Sequence, residues 1–411
     1  MTSTALDERP DRDRCPGVLA LHEAADGWLA RVRLPGGRLS AAQLKILAAA
    51  AEELGSGLID LTVRANLQLR GLDEASGYAL AERLRPAGLL PSLAHDRVRN
   101  ILAGPLCGRL QGALDDVDEI VALLDARVCG TRALGELPGR FCFLVDDGTG
   151  AGSEVGADIT VAARGAGRFS VLLDGQLIAS EGDADQAVTL AIEAAQAFLE
   201  LRGGDRNWRL SEISGGAAGV ARQLDLRLAS RHVAPYVPPL VPGIQIQRDG
   251  RAAVTALPPL AQLCPAVLRE LAELCRSVGS DVRLSTRRTV TIVDVPEEAA
   301  AATSVAMGRA GLEVDGASGW IGLTACAGVR GCPNALADVR AAAAQRADVR
   351  GPGAPAEHWA ACGRRCGEGR ATVVAVAVEG PGNVEVRRAK HTVTAPTLEA
   401  ACLGLLEEPG R

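Results

Sequence analysis

The residues best equipped for chemistry are four cysteines near the C-terminus, in Cys326-Ala-Gly-Val-Arg-Gly-Cys332 and Cys362-Gly-Arg-Arg-Cys366. Their spacing is C-x5-C, a gap of 29 residues, then C-x3-C. Thiolates are soft ligands, and four converging on one point suit an iron–sulfur cluster or zinc. Structural zinc usually takes pairs roughly two to four residues apart, which close a tight knuckle. A five-residue gap is loose for that and can wrap a larger cubane; unrelated buried thiols are the bland alternative. Pro333 and the run 334–345 read as a helix with proline in its first turn, which would aim free N–H groups at cluster sulfurs. His358, four residues before Cys362, is either a metal ligand or second-sphere donor, or an ordinary structural histidine. Cys15, Cys107, Cys129, Cys142, Cys264, Cys275 and Cys402 read as small buried hydrophobes.

Positioning these ligands takes a folded scaffold, and the composition supports one. The 411 residues are 47% hydrophobic and 23% charged, which fits a soluble globular chain with more than one domain. A net charge of -6 and 2% aromatics speak against a nucleic-acid partner. The polar stretch 1–14 lacks the apolar core of a signal peptide, and no apolar run approaches a membrane span. The expectation is a cytoplasmic protein with no membrane partner, whose eleven cysteines serve as metal ligands and buried thiols. Lys45 and Lys390 are the only lysines among 44 basic residues, so a single arginine is weak evidence of function.

The chain is built twice. The first copy reads as a strand at 28–34, the turn Pro35-Gly-Gly37, a helix at 40–54, a strand at 58–69 and a helix at 73–84. The second reads as a strand at 252–257, Pro258-Pro259, a helix at 264–278, a strand at 281–292 and a helix at 297–310. Arg64 and Arg287 fall at matching positions. Each copy is a split βαβ-like unit, and the two are expected to lie side by side about a pseudo-two-fold axis and share one sheet. A longer α/β segment follows each copy. The first has strands near 141–145 and 158–162 and a helix near 183–201. The second holds the four cysteines, a strand at 371–378 and a closing helix at 397–407. A Gly-rich stretch, 203–220, and a Pro-rich one, 235–242, join the halves.

This duplicated unit, with C-x5-C and C-x3-C in its last quarter, resembles the nitrite/sulfite reductase family. Arg33-Leu-Pro-Gly-Gly37, Leu61-Thr-Val-Arg-Ala-Asn-Leu-Gln68, Arg99-Asn100 and Leu137-Pro-Gly-Arg-Phe141 are similar to family motifs, and the likeness spans about 17–405. The resemblance implies an α+β fold of duplicated ferredoxin-like half-domains (17–95 and 235–312) plus two reductase-type α/β domains (96–203 and 313–407), with pseudo-two-fold symmetry. It also implies that Cys326, Cys332, Cys362 and Cys366 ligate a 4Fe-4S cluster. In the reductases a siroheme is bridged through the last cysteine, and the substrate anion is held by cations matching Arg33, Arg99, Arg140 and a lysine that falls on Cys142 here. A thiol supplies no fixed cation.

That departure, with the Gly57–Gly71 run, looks more like a branch of the family that works in aerobic cobalamin biosynthesis. The implied reaction is O2-dependent hydroxylation of the tetrapyrrole precorrin-3A at C20 with γ-lactone formation. Its implied needs are a mononuclear non-heme iron beside the cluster, siroheme taking that place only in a reductase, and a separate electron-donor protein. No G-x-G-x-x-G follows a strand, so NADH enters only as an indirect electron source. A carboxylate-fringed macrocycle calls for planar cations, and Arg33, Arg64, Arg99 and Arg140 are expected to converge on one cleft facing Cys366. Asn66 and Gln68 are expected to orient the macrocycle. Three readings compete: a monooxygenase of this kind, a siroheme-dependent sulfite or nitrite reductase, and a zinc-stabilised binding protein.

Overall fold

The run 58–69 does not extend as one strand. In the computed structural model, which describes residues 13, 15–203, 206–231, 240–369, 371–378, 384–388 and 391–404, it folds back at Thr62–Asn66. Thr62 Oγ1 accepts from the N–H groups of Arg64 (3.3 Å) and Asn66 (3.2 Å), and Ala65 takes a left-handed φ of 53°. A short polar side chain that satisfies turn amides competes with strand extension. The second copy turns the same way. Ser285 Oγ accepts from Arg287 (3.2 Å) and Thr289 (3.1 Å), and Arg288 has φ 64°.

The first half-domain therefore reads β1 (His22–Ala24), β2 (Gly27–Val32), β3 (Arg38–Leu39), α1 (Ala41–Leu54), β4 (Ile59–Leu61), β5 (Leu67–Leu72) and α2 (Ser76–Leu84). Ser40 starts α1 with a capping box: its Oγ accepts from Gln43 N–H, and Gln43 Oε1 accepts from Ser40 N–H. The first α/β layer follows, with β6 (Ile101–Ala103), α3 (Asp118–Gly130), β7 (Phe143–Asp146), β8 (Ile159–Gly165), β9 (Arg168–Leu173), β10 (Gln176–Gly182), α4 (Ala184–Arg202), α5 (Gly216–Gln223) and β11 (Leu228–Arg231). The second half-domain repeats the first as β12 (Gly243–Ile246), β13 (Ala252–Ala256), β14 (Gln262–Leu263), α6 (Pro265–Val278), β15 (Val282–Leu284), β16 (Val290–Val295) and α7 (Glu297–Arg309). The second layer holds β17 (Leu323–Ala325), α8 (Val339–Val349), β18 (Glu357–Ala360), β19 (Val373–Ala377), β20 (Val384–Arg388), β21 (His391–Ala395) and α9 (Leu398–Gly404).

The α+β expectation holds, and the single shared sheet is corrected. The half-domains form two five-stranded sheets, β1-β2-β5-β4-β14 and β12-β13-β16-β15-β3. Each is completed by a two-residue strand from the other half, with Leu39 opposite Val282 and Leu263 opposite Ile59. This reciprocal exchange covers one edge of each sheet and ties the halves together. Helices α1 and α6 pack on each other, and one core runs through both halves, from Leu34, Leu44 and Leu67 to Leu268, Val282 and Ile292. The α/β layers match as well: β6-β7-β8 and β17-β18-β19 are parallel, then turn antiparallel. The first layer's sheet continues past residue 203 to β11, and α5 lies in the stretch expected to be a linker. The stretch 1–12, most of the Pro-rich run 235–242, and the end of the expected closing helix lie outside the described residues. No helix among the described residues is long and apolar enough to cross a membrane.

Asp146, which ends β7, is buried, and its Oδ1 accepts from Gly150 N–H (2.8 Å). Burial pushes its carboxyl up to about 6, and Asp147 adds to the rise. The folded carboxyl thus holds its proton more tightly than the unfolded chain, whose reference value is 3.8. Its contribution is fully present below pH about 4 and is lost as pH rises through about 6. Asp146→Asn keeps the oxygen acceptor and removes the charge. It should raise stability at pH 8 by up to about 3 kcal/mol and leave it nearly unchanged at pH 4. Urea unfolding at both pH values checks this; an equal shift at the two overturns it.

Candidate metal and macrocycle site

β17 and β18 are neighbouring parallel strands, so the loops that follow them leave the same sheet edge. Cys326 and Cys332 lie in the first loop, Cys362 and Cys366 in the second. Cys326 N–H donates to Trp359 C=O (2.9 Å), and Ala361 N–H donates to Cys326 Sγ (3.2 Å), which laces the loops together. Burial raises the Cys366 thiol, and Cys326, Cys362 and Cys332 then each raise it further, so the four sulfurs share one neighbourhood. No three or more His, Cys, Asp or Glu among the described residues close tightly enough to hold a single metal ion. Four thiols on one edge are the donor set that a four-iron cluster takes, one thiolate to each iron.

The helix expected to start at Pro333 starts later. Residues 333–337 form turns, and α8 begins at Val339 because the Asp338 carboxylate caps it, accepting from Ala341 N–H (3.1 Å). The amide aimed at one of the four cysteine sulfurs, that of Cys326, is Ala361 N–H instead. Two arginines hold the first loop from behind. Arg340 Nε donates to Cys326 C=O (3.1 Å), and Arg70 Nη2 donates to Gly331 C=O (3.2 Å). A Cβ at Gly331 would run into the Arg70 guanidinium, which Asp26 and Asp60 hold in place.

The four expected arginines differ in their surroundings. Arg64, at the β4–β5 turn, donates to Gly139 C=O (3.1 Å) and Arg140 C=O (3.0 Å). Arg140 is exposed, with its guanidinium 4.9 Å from the Trp208 ring centroid. Arg31 joins them. Its Nη2 donates to Gln68 Oε1 (2.7 Å), and its proton affinity is lowered by burial first and then by Arg64 and Arg140, against the pull of Cys15 and Asp13. Beneath this trio, Asn66 Oδ1 accepts from Leu34 N–H (2.9 Å) and its Nδ2 donates to Asn100 Oδ1 (3.2 Å); Asn100 in turn donates to Gly139 and Phe141 C=O.

Arg33 is fully buried, donating to Pro16 and Arg97 C=O (both 3.1 Å); burial, then Arg31, holds it down to about 9. Arg99 forms a two-pronged pair with Asp125 (both 2.7 Å). Arg33, which also feels Arg64, and Arg99 line a cleft of about 390 Å³, whose other cations are paired, Arg38 with Asp281 and Arg283 with Asp118. Cys142 is buried among Leu102, Leu144 and Ala157, and burial pushes its thiol up to about 11. Arg31 and Trp208 were missed from sequence. The alternation Arg31-Val32-Arg33 places both arginines on one strand face and was the available signal; Trp208 lay in a stretch that read as linker.

Two duplicated half-domains, two matching α/β layers and an edge that carries four cysteines define an α+β protein. The family model for the nitrite/sulfite reductase ferredoxin-like half domain matches residues 22–87 and 245–305. Those two half-domains are therefore of the nitrite/sulfite reductase ferredoxin-like kind. It is 40% identical over 95 residues to a precorrin-3B synthase from Sinorhizobium sp, covering 21% of each chain. It is 32% identical over 145 residues to a ferredoxin–nitrite reductase from Leptolyngbya laminosa, covering 33% of this chain and 28% of that one. A ferredoxin–nitrite reductase from Synechococcus elongatus is 34% identical over 127 residues, 29% of this chain and 25% of its own. The matched stretches thus span between a fifth and three-tenths of these relatives' lengths. In fold, the chain is similar to the NirA protein of Mycobacterium tuberculosis, with TM-score 0.75, 19% identity, and 96% and 85% of the two chains covered.

Proposed function

We propose that the chain is an oxidoreductase acting on a carboxylate-fringed tetrapyrrole, and in particular a precorrin-3B synthase that hydroxylates precorrin-3A at C20. The observation that carries this is the trio Arg31, Arg64 and Arg140. These cations crowd one another, and none forms an ion pair among the described residues. Like charges gathered without an ion pair of their own favour a ligand that brings several carboxylates. Arg64 and Arg140 grip such a fringe, Gln68 fixes the fork of Arg31, and the Asn66–Asn100 pair holds the turn that presents Arg64.

Cys326, Cys332, Cys362 and Cys366 would hold the 4Fe-4S cluster, which passes electrons one at a time from a separate donor protein. The reaction consumes O2, two electrons and two protons, places one oxygen atom on carbon and releases the other as water. The C-x5-C and C-x3-C spacing supports a cluster over a single zinc ion.

A siroheme-dependent nitrite or sulfite reductase is the second reading, favoured by the longer stretches matched in the two nitrite reductases. Against it, Cys142 places a buried, protonated thiol where a reductase cation belongs. The test supplies the anaerobically purified protein with reductant and either precorrin-3A with isotopically labelled dioxygen, or sulfite or nitrite. We expect one labelled oxygen atom in the macrocycle. Brisk reduction of sulfite or nitrite with precorrin-3A untouched overturns the proposal.

A further inference from the structure

Arg140 presents its guanidinium at the surface, where a long side chain ordinarily samples many rotamers. Its backbone is held from two sides. Arg64 Nη2 donates to Arg140 C=O (3.0 Å), and two residues on, Cys142 N–H donates to Asp158 Oδ2 (2.8 Å). The guanidinium itself closes no hydrogen bond or ion pair among the described residues and lies over the Trp208 ring, 4.9 Å from its centroid. Indole is the best aromatic face for a cation. A guanidinium stacked on a ring uses its face, so its in-plane N–H fork stays available.

The indole is fixed in turn. Trp208 is 6% exposed, and its backbone N–H donates to Glu212 Oε2 (2.7 Å). The next two residues are tied to Asp158. Arg209 Nε donates to both of its oxygens (2.9 and 2.7 Å), and Leu210 N–H donates to Oδ1 (2.7 Å). Asp158 is itself buried, and the same carboxylate takes Cys142 N–H. One carboxylate therefore sets the position of both partners in the stack, the indole through Arg209 and Leu210 and the Arg140 strand end through Cys142. An exposed arginine contributes little to stability by itself. An indole anchored this firmly beneath one matters more for where the fork points than for holding the fold.

We propose that Trp208 is a positioning residue for the macrocycle: it holds the Arg140 guanidinium in the plane from which the fork meets a carboxylate of the fringe. A fork held in advance loses less rotamer freedom when the ligand arrives, which strengthens binding without any new contact to it. This rests on the tetrapyrrole reading above, and the test separates the two.

The experiment titrates the purified holo-protein with uroporphyrin, an octacarboxylate porphyrin, following heat release. Variants are Trp208→Leu, Trp208→Phe, Arg140→Gln, Arg64→Ala and the double variant Trp208→Leu with Arg140→Gln; iron content and melting temperature check folding. Trp208→Leu should weaken uroporphyrin binding about three- to tenfold, the loss a cation–π contact near the surface carries. Trp208→Phe should lose less, because it keeps an aromatic face, and it takes the place of Trp208→Leu in the same cycle if the leucine variant does not fold. In the double variant, Trp208→Leu should add nothing to the loss from Arg140→Gln, since a positioning residue acts only through the group it positions. An equal loss from Trp208→Leu with and without the Arg140 guanidinium marks a purely structural tryptophan and overturns the proposal. Wild-type affinity in Trp208→Leu, while Arg64→Ala weakens binding, also overturns it and leaves the tetrapyrrole reading standing. A wild-type protein that does not bind uroporphyrin overturns that reading and the proposal with it.

Discussion

Replacing Cys326 with Ala is expected to strip the protein of nearly all its iron and acid-labile sulfide, together with the broad absorption near about 400 nm that an iron–sulfur cluster gives. Cys326 should be the most damaging of the four. Its sulfur accepts from Ala361 N–H, and its carbonyl accepts from Arg340, so the residue sits where both cysteine loops and α8 meet. Cys332→Ala, Cys362→Ala and Cys366→Ala should lose the cluster too, because a cubane held by three thiolates is readily lost and binding is coupled to local folding. The second α/β layer should then melt earlier, since the loops that carry the cysteines also cover one end of the sheet over the fully buried Trp359. Cys264→Ala is the control: that thiol is exposed, precedes α6 and lies outside this edge. Iron and sulfide per chain, measured on anaerobically purified variants, decide the matter. A Cys326→Ala protein with the full complement rules out the cluster assignment.

Much of this arrangement is legible in the chain, and what is not has physical causes. The cysteine spacing and the internal repeat are local or periodic, so the ligand set and the duplicated halves can be read directly. Strand boundaries at 58–69 are harder. Most of those twelve positions suit a strand, and the fold-back rests on the Thr62 hydroxyl and a left-handed Ala65, neither of which has a strong sequence signature. The exchange of β3 and β14 between halves is a contact between residues more than two hundred positions apart, each contributed by a two-residue strand. No propensity argument reaches such a pairing. The arginines show the same limit. Arg33 and Arg99 belong to recognisable motifs, yet one is buried against backbone carbonyls and the other paired with Asp125. Arg31 lies outside the motifs, and only packing shows that it forms no ion pair among the described residues. In a chain where arginine supplies nearly all the positive charge, type alone cannot separate a structural cation from a binding one.

Arg70→Ala should be the most destabilising single change away from the cysteines, costing about 3–5 kcal/mol, the range for breaking a buried ion pair from one side. Arg70 lies on β5 and is 6% exposed. Its Nε and Nη2 meet both oxygens of Asp26 (each 2.8 Å), Nη1 meets Asp60 (3.2 Å), and Nη2 also reaches Gly331 C=O in the loop between Cys326 and Cys332. Burial opposes the charge, but Asp26 and Asp60 outweigh it, so the proton is held more firmly than on an ordinary arginine. Removing the side chain leaves Asp26 without this pair. Asp60 keeps Gln262 and a distant Arg340, so Asp26 should bear most of the loss. The cysteine loop also loses its tie to the first half-domain, so iron retention should fall with stability. Arg70→Lys should recover part of the melting temperature and little of the iron, because one ammonium cannot serve both carboxylates and Gly331. Arg70→Ala combined with Asp26→Ala should be less destabilising than Arg70→Ala alone, since no carboxylate is then abandoned at that position. Melting temperature and iron content of the three variants test the chain of contacts. An Arg70→Ala protein that melts like the wild type and keeps its iron would show that the loop is held by something other than this guanidinium.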